Sequence, residues 1–170
     1  LGRWVRYGEA VVKLGSKGVV HLLVCLTLTF SVSFVGAQGS LRGLGEWYSS
    51  LQKPPFNPPN WLFAPVWTIL YLLMGIAAFQ IWQSKSPRRP LALTVYAVQL
   101  LLNGLWSWIF FAWQRLLESA IEISVMWGLI VLTIVLFSRI QQSAGRLLIP
   151  YLAWVSFATV LNWTIYGMNR

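Results

Sequence analysis

The chain has 170 residues, 57% of them hydrophobic and 10% charged, with a net charge of +9. A soluble domain averages about 25% charged residues, so this inventory does not readily build a water-facing surface, and membrane embedding follows. The thirteen Lys/Arg stand against four Glu and no Asp. They fall in the gaps between apolar runs and are not interleaved with aromatics on a polar face, which excludes a nucleic-acid partner and reads as membrane topology.

Residues 1–18 form a basic N-terminal extension ahead of a membrane domain covering residues 19–170. Its mixture of cations and apolar residues suits a short interfacial helix or a disordered basic tail. A helix needs about 20 apolar residues to cross a hydrocarbon core of about 30 Å. Five stretches meet that length, at residues 19–38, 61–82, 91–113, 119–138 and 147–168. The fold class expected is therefore an all-α integral membrane bundle of five transmembrane helices. The first span ends in Val35-Gly36-Ala37 after a basic segment, a pattern that also resembles a signal-peptidase site, and cleavage there would leave four spans. Nine cations lie on the side of the N-terminus and of "SKSPRRP", and four on the other. The positive-inside rule then places the N-terminus in the cytoplasm-like compartment and the C-terminus opposite.

Cys25 is the only cysteine and His21 the only histidine. No disulfide framework and no metal site of three or four Cys/His ligands can be assembled within one chain. The two residues are one helical turn apart, and a headgroup-level histidine beside a small apolar-like thiol accounts for both. No G-x-S-x-G, P-loop or G-x-G-x-x-G occurs, so hydrolytic and nucleotide-driven chemistry has no support.

Residues 39–60 connect the first two spans, and "WYSSLQKPPFNPPNW" holds four of the eight prolines. Pro54, Pro55, Pro58 and Pro59 fix φ near −65°, remove backbone donors and bias the residues before them toward extended conformations. Trp47, Tyr48, Phe56 and Trp61 add apolar contact area. Such a connector suits a stiff lid over the bundle mouth, or equally a re-entry segment whose aromatics rest at headgroup level.

Depth divides the tryptophans. Trp61, Trp82, Trp113 and Trp163 fall near span ends, where an aromatic belt explains them. Trp67, Trp106, Trp127 and Trp154 lie six or more residues inside, at about 1.5 Å per residue. Helical spacing aligns Gln99, Asn103, Trp106 with Ser107, and Phe110 on span three. The same spacing aligns Tyr151, Trp154, Ala158 and Asn162 on span five, and span two offers Trp67, Thr68, Tyr71 and Gly75. Buried amides in hydrocarbon need partners, so Gln99, Asn103 and Asn162 should point inward. Each alone reads as interhelical hydrogen bonding. Together, rings, amides and small residues favour a cavity for a flat apolar ligand with a few polar edges. Glu122 suits pairing with Arg115 at the surface, or a polar ligand group.

These residues resemble the translocator protein family, also called tryptophan-rich sensory proteins or peripheral benzodiazepine receptors. "WYSSLQKPPFNPPNWLFAPVW" looks like its first-loop signature, "LLNGLWSWIFFAWQ" like its third-helix motif, and "LLIPYLAWVSFATVLNWTIYGMN" like its fifth helix. The resemblance covers residues 47–169, while the basic extension is longer than the family's usual start and Glu122 stands where many relatives have Asp. It implies a five-helix bundle, often a homodimer, in a bacterial cell membrane or alternatively a mitochondrial outer, plastid or ER membrane.

The resemblance also implies binding of tetrapyrroles such as protoporphyrin IX and haem, and of sterols, as ligands and with no obligatory cofactor. Matching ligand-binding positions are Tyr48, Pro58, Trp67, Asn103, Trp106, Trp154 and Ala158, to which the helical faces add Ser107, Phe110 and Asn162. A receptor or sensor is the leading reading, with a tetrapyrrole or lipid transporter as one alternative. The other, which the resemblance also implies, is light-dependent porphyrin degradation involving the indoles of Trp67 and Trp154, although the sequence shows no ordinary acid–base machinery. Val160, Tyr166 and Arg170 fit a proposed sterol pattern where the family carries it. Val5-Tyr7-Lys13 and Leu44-Tyr48-Lys53 fit it too, which shows how permissive the pattern is.

Overall fold

The computed structural model describes residues 3–7 and 10–170. Five helices long and apolar enough to span a membrane make the body: Ser16–Gly43, Asn60–Trp82, Arg89–Ala112, Leu116–Ile140 and Gln142–Met168. We name the helical segments α1 (Ser16–Gly43), α2 (Glu46–Ser50), α3 (Asn60–Trp82), α4 (Arg89–Ser107), α5 (Leu116–Ile140), α6 (Gln142–Leu147) and α7 (Ile149–Met168). A π-helical turn, Trp108–Ala112, closes α4. The protein is an all-α bundle in its membrane domain, as the five apolar runs predict.

The extension is neither the interfacial helix nor the disordered tail expected of it. Arg3–Tyr7 pairs antiparallel with Ala10–Leu14. Its apolar residues include Val5, Val11 and Val12, and β-branched side chains in short runs favour strand over helix.

The first span is longer than residues 19–38. α1 passes without a break through residues 35–37 and ends at Gly43, because its last glycines let it lie against the end of α4. A Cβ at Gly39 would sit 3.0 Å from Trp108, and one at Gly43 only 2.2 Å from the Phe111 carbonyl oxygen. Trp108 Nε1 donates to the Val35 carbonyl at 3.0 Å, and the Arg42 guanidinium lies 4.6 Å above the same indole. This seam sets the π-helical turn: the Trp113 amide reaches back five residues to the Trp108 carbonyl at 2.8 Å. The wider turn allows consecutive Phe110 and Phe111 both to be buried.

The fifth span is also divided. Leu148 separates α6 from α7, and Pro150 sits in the first turn of α7, where its missing N–H costs nothing. Below the middle of the bundle the core is solid, built on Met74, Ile81, Ile130 and Phe137. Gly75, which the sequence suggests as cavity space, instead receives Leu26 of α1, whose Cδ2 would lie 2.7 Å from an added Cβ. The Tyr96 and Thr29 hydroxyls, 2.9 Å apart, tie α4 to α1 at this level. Near the inner turn His21 lies 3.3 Å from the Gln83 amide, with its ring tilted against Trp82 at 5.7 Å, while Cys25 is buried as a core residue.

Candidate functional site: a roofed aromatic cavity

The upper half of the bundle encloses a cavity of about 440 Å³, within the range of small-molecule sites. Tyr48, Trp67, Asn103, Trp106, Ser107, Phe110, Ala158 and Asn162, eight of the ten expected ligand-binding residues, line it. α1 supplies a wall that the aromatic pattern missed, through Ser33, Gly36, Ala37 and Ser40. These residues carry no ring or amide to flag them; being small is their contribution. The exposed lining residues Ala37, Leu41, Asn60, Ala64 and Thr68 belong to α1 and α3, so the cavity opens along that seam toward lipid. None of the residues lining it is charged.

Its floor is a hydrogen-bonded layer. The Tyr71 hydroxyl donates to Asn103 Oδ1. Asn103 Nδ2 donates to the Tyr151 hydroxyl at 2.9 Å, and Tyr151 donates to Gln99 Oε1 at 2.9 Å. Asn103, Tyr151 and Gln99 are at most 4% exposed. Asn162 accepts from the Ser119 hydroxyl at 3.2 Å, joining α7 to α5. The inward direction expected of the three amides is thus observed, and they serve both readings: they join helices and they bound the cavity.

Flat rings form the sides. Trp106 stacks on Phe110 at 5.3 Å, and Phe110 meets Phe111 edge-on at 4.8 Å. Trp67 leans on Tyr71 at 5.6 Å and presents its edge to Tyr151 at 6.2 Å.

The proline segment forms the roof. α2 places Tyr48 over Phe111 at 5.5 Å and Phe110 at 6.2 Å, and Tyr48 is 4% exposed. Its hydroxyl donates to Asn57 Oδ1 at 3.0 Å, and Lys53 Nζ lies 4.6 Å from its ring centre. Burial pushes the Tyr48 phenol above its ordinary range, against the opposing pull of the Asn57 bond. Lys53 donates to the carbonyls of Tyr48 and Leu51, closing the end of α2. Asn169, just past α7, clamps the segment from below. Its Oδ1 accepts from the Gln52 amide and its Nδ2 donates to the Gln52 carbonyl, both at 2.9 Å. With its backbone stiffened by proline and bound at Asn57 and Gln52, the segment is a roof docked on the bundle.

Some expected residues lie elsewhere. Pro58 belongs to the roof, where its carbonyl accepts from Asn57 Nδ2 at 3.1 Å, and it does not line the cavity. Trp154 sits outside the wall, edge-on to Phe63 at 5.8 Å. Trp127, though deep in its span, faces outward at 40% exposure and donates to Ser156 at 2.8 Å. Val160 of the sterol pattern is 59% exposed on the outer face of α7, and Tyr166 packs on Trp163 at 6.0 Å. Arg115 pairs with Glu118 at 3.4 Å, not with Glu122, whose carboxyl is buried.

Comparison with known proteins agrees with this architecture. The TspO/MBR family model matches residues 22–167, from α1 to the end of α7. The chain belongs to the TspO/MBR family. It is 39% identical over 158 residues to the tryptophan-rich protein TspO of Chlorobaculum tepidum, a match covering 91% of this chain and 99% of that one. The translocator protein of Bos taurus is 39% identical over 143 residues, 81% of this chain and 83% of the relative. The tryptophan-rich sensory protein of Cereibacter sphaeroides is 37% identical over 144 residues, covering 85% and 90%. Membership in the TspO/MBR family, with five spanning helices, makes the chain an integral membrane protein and supports a sensor or receptor role.

Proposed function

We propose that this protein is a membrane receptor or sensor that binds a planar tetrapyrrole, with protoporphyrin IX or haem as the ligand class, in the cavity beneath the proline roof. The similarity to a bacterial TspO favours a bacterial cell membrane as its location. The observation that carries the reading is the placement of Trp106, Phe110 and Trp67 around one uncharged space, capped by Tyr48. Stacked rings provide the broad apolar contact that a flat macrocycle needs, each pair adding about 0.5–1.5 kcal/mol beyond area burial. Because no lining residue is charged, the ligand's ionised side groups have to stay at the α1–α3 mouth.

Binding is favoured over transport because the cavity is blind. The Tyr71–Asn103–Tyr151–Gln99 layer closes it below, over a solid core. It is favoured over photochemistry because Phe63 lines the cavity where Trp154 does not. The outward position of Val160 supplies nothing for a sterol inside the bundle.

Titration of the protein in lipid nanodiscs with protoporphyrin IX tests the reading through tryptophan fluorescence. Saturable quenching is expected, with affinity weakened roughly tenfold or more in Trp106→Ala and Trp67→Ala, equivalent to about 1.4 kcal/mol. Trp127→Ala, on the outer face, is expected to bind as the parent does. Equal affinity in all four proteins would remove the cavity from the account.

A further inference from the structure

Five buried side-chain atoms have no hydrogen-bond partner among the described residues: both carboxyl oxygens of Glu122, Gln99 Nε2, Trp106 Nε1 and Trp154 Nε1. Four of them, all except Trp154 Nε1, belong to α4 and α5, two helices packed against each other. Gln99, Asn103 and Trp106 share one stripe of α4, and Ser119, Glu122 and Met126 share one stripe of α5, by the three-to-four-residue repeat of a helix. The Tyr151 hydroxyl fixes the two stripes against each other, since it donates to Gln99 Oε1 at 2.9 Å and lies 3.8 Å from Met126 Sδ. α4 and α5 are joined by a short connection and run antiparallel. Gln99 therefore stands at the level of Met126, and Trp106, nearer the connection, at the level of the first turns of α5. Glu122 falls between them.

These atoms are not part of the ligand cavity. Neither Glu122 nor Gln99 lines it, and Gln99 is 1% exposed. Trp106 presents its ring to the cavity, but its Nε1 is buried, so the N–H is turned into the protein. An unmade hydrogen bond on a buried polar group costs about 1–3 kcal/mol, and an ionisable residue at membrane depth is expected to have a specific partner. The donor set decides the partner's chemistry. The N–H groups of Gln99 and Trp106 repel a cation, and a carboxyl oxygen repels an anion. Water, donor and acceptor at once, satisfies both, and buried waters commonly make about three such bonds. The other ionisable groups facing this region are phenols: Tyr151 from α7, Tyr71 from α3 and Tyr96 from α4, each already hydrogen-bonded. No Lys or Arg among residues 15–170 is buried.

We propose that the α4–α5 seam holds buried water and that Glu122, at a level between the unpartnered N–H groups of Gln99 and Trp106, is held as a neutral acid that exchanges its proton with the water bound to it. The exchange is degenerate: the Glu122 O–H bond breaks as a new O–H forms on water, and the reverse step restores both. Through the Trp106 ring the seam touches the cavity wall.

Infrared spectroscopy of the full chain in lipid membranes without added ligand tests this directly. The chain has four Glu and no Asp, and Glu46 and Glu118 are exposed. The protonated carboxyl band at neutral pH that Glu122→Gln abolishes is the one assigned to Glu122. The expected result is one such band, at the frequency of a hydrogen-bonded acid, absent in Glu122→Gln and shifted within minutes of transfer to D2O. A band at the frequency of a free acid would overturn the proposal, as would one unmoved after a day in D2O. So would the lack of any protonated carboxyl band in the parent protein.

Discussion

Gly43→Ala is expected to lower the melting temperature of the detergent-solubilised protein by roughly 3–10 °C, the range set by about 1–3 kcal/mol of overpacking. The added Cβ would meet the Phe111 carbonyl oxygen at 2.2 Å, its carbon at 2.7 Å and its Cα at 2.9 Å. All three are backbone atoms in a π-helical turn, so no rotamer change relieves the clash, and α1 must move away from the end of α4. Phe110 and Phe111 line the cavity, so ligand affinity should fall with stability. Gly128→Ala is the control, because nothing lies within 4 Å of a Cβ there. Helix propensity alone then favours alanine by up to about 1 kcal/mol. If the two variants melt alike, the close α1–π-turn contact is not what holds this end of the bundle.

Asn103→Leu is expected to destabilise the bundle by about 1–3 kcal/mol and to open its floor. The substitution strips Tyr71 of its acceptor and Tyr151 of a donor, at positions 5% and 0% exposed. Hydrogen bonds between membrane helices average only about 0.6 kcal/mol, because helices separated in the bilayer find other partners. The larger figure applies here because two phenols lose a partner at once inside a packed layer. A double-mutant cycle with Tyr71→Phe distinguishes the cases. Removing both groups should cost clearly less than the sum of the single changes, since each single change orphans the other. Strict additivity would mean that the Tyr71–Asn103 bond contributes nothing net.

Much of this architecture is legible in residue spacing. Five apolar runs of spanning length, bounded by prolines and cations, become five spanning helices. The three-to-four-residue rows on spans three and five bring Asn103, Trp106, Ala158 and Asn162 to one cavity. What escapes the spacing is contact between helices. The amphipathic signal cannot tell whether a deep tryptophan faces a neighbour or lipid, which is why Trp127 faces outward and Trp154 stands behind Phe63. Gly75 is spent on admitting Leu26 and leaves no void. Gly39 and Gly43 carry no side chain to pattern, yet they extend α1 past its apolar run and shape the π-helical turn.

The roof is legible in composition alone, because its prolines and aromatics state stiffness and contact area. Its fastening is not: the Asn169 clamp on Gln52 joins residues 117 positions apart. Glu122 was readable as a polar residue near a span start, and Arg115 offered an obvious partner seven residues away. The i,i+3 geometry gives that cation to Glu118 instead.

The central claim, that the inward-facing rings and not the outer ones receive the flat ligand, is tested most directly by determining where protoporphyrin IX sits when bound to the protein in lipid. The account predicts the macrocycle inside the bundle, against Trp106 and Trp67 and beneath Tyr48, with its carboxylates at the α1–α3 mouth. A macrocycle held in the outer groove beside Trp127 and Ser156, with the inner cavity empty, would contradict it.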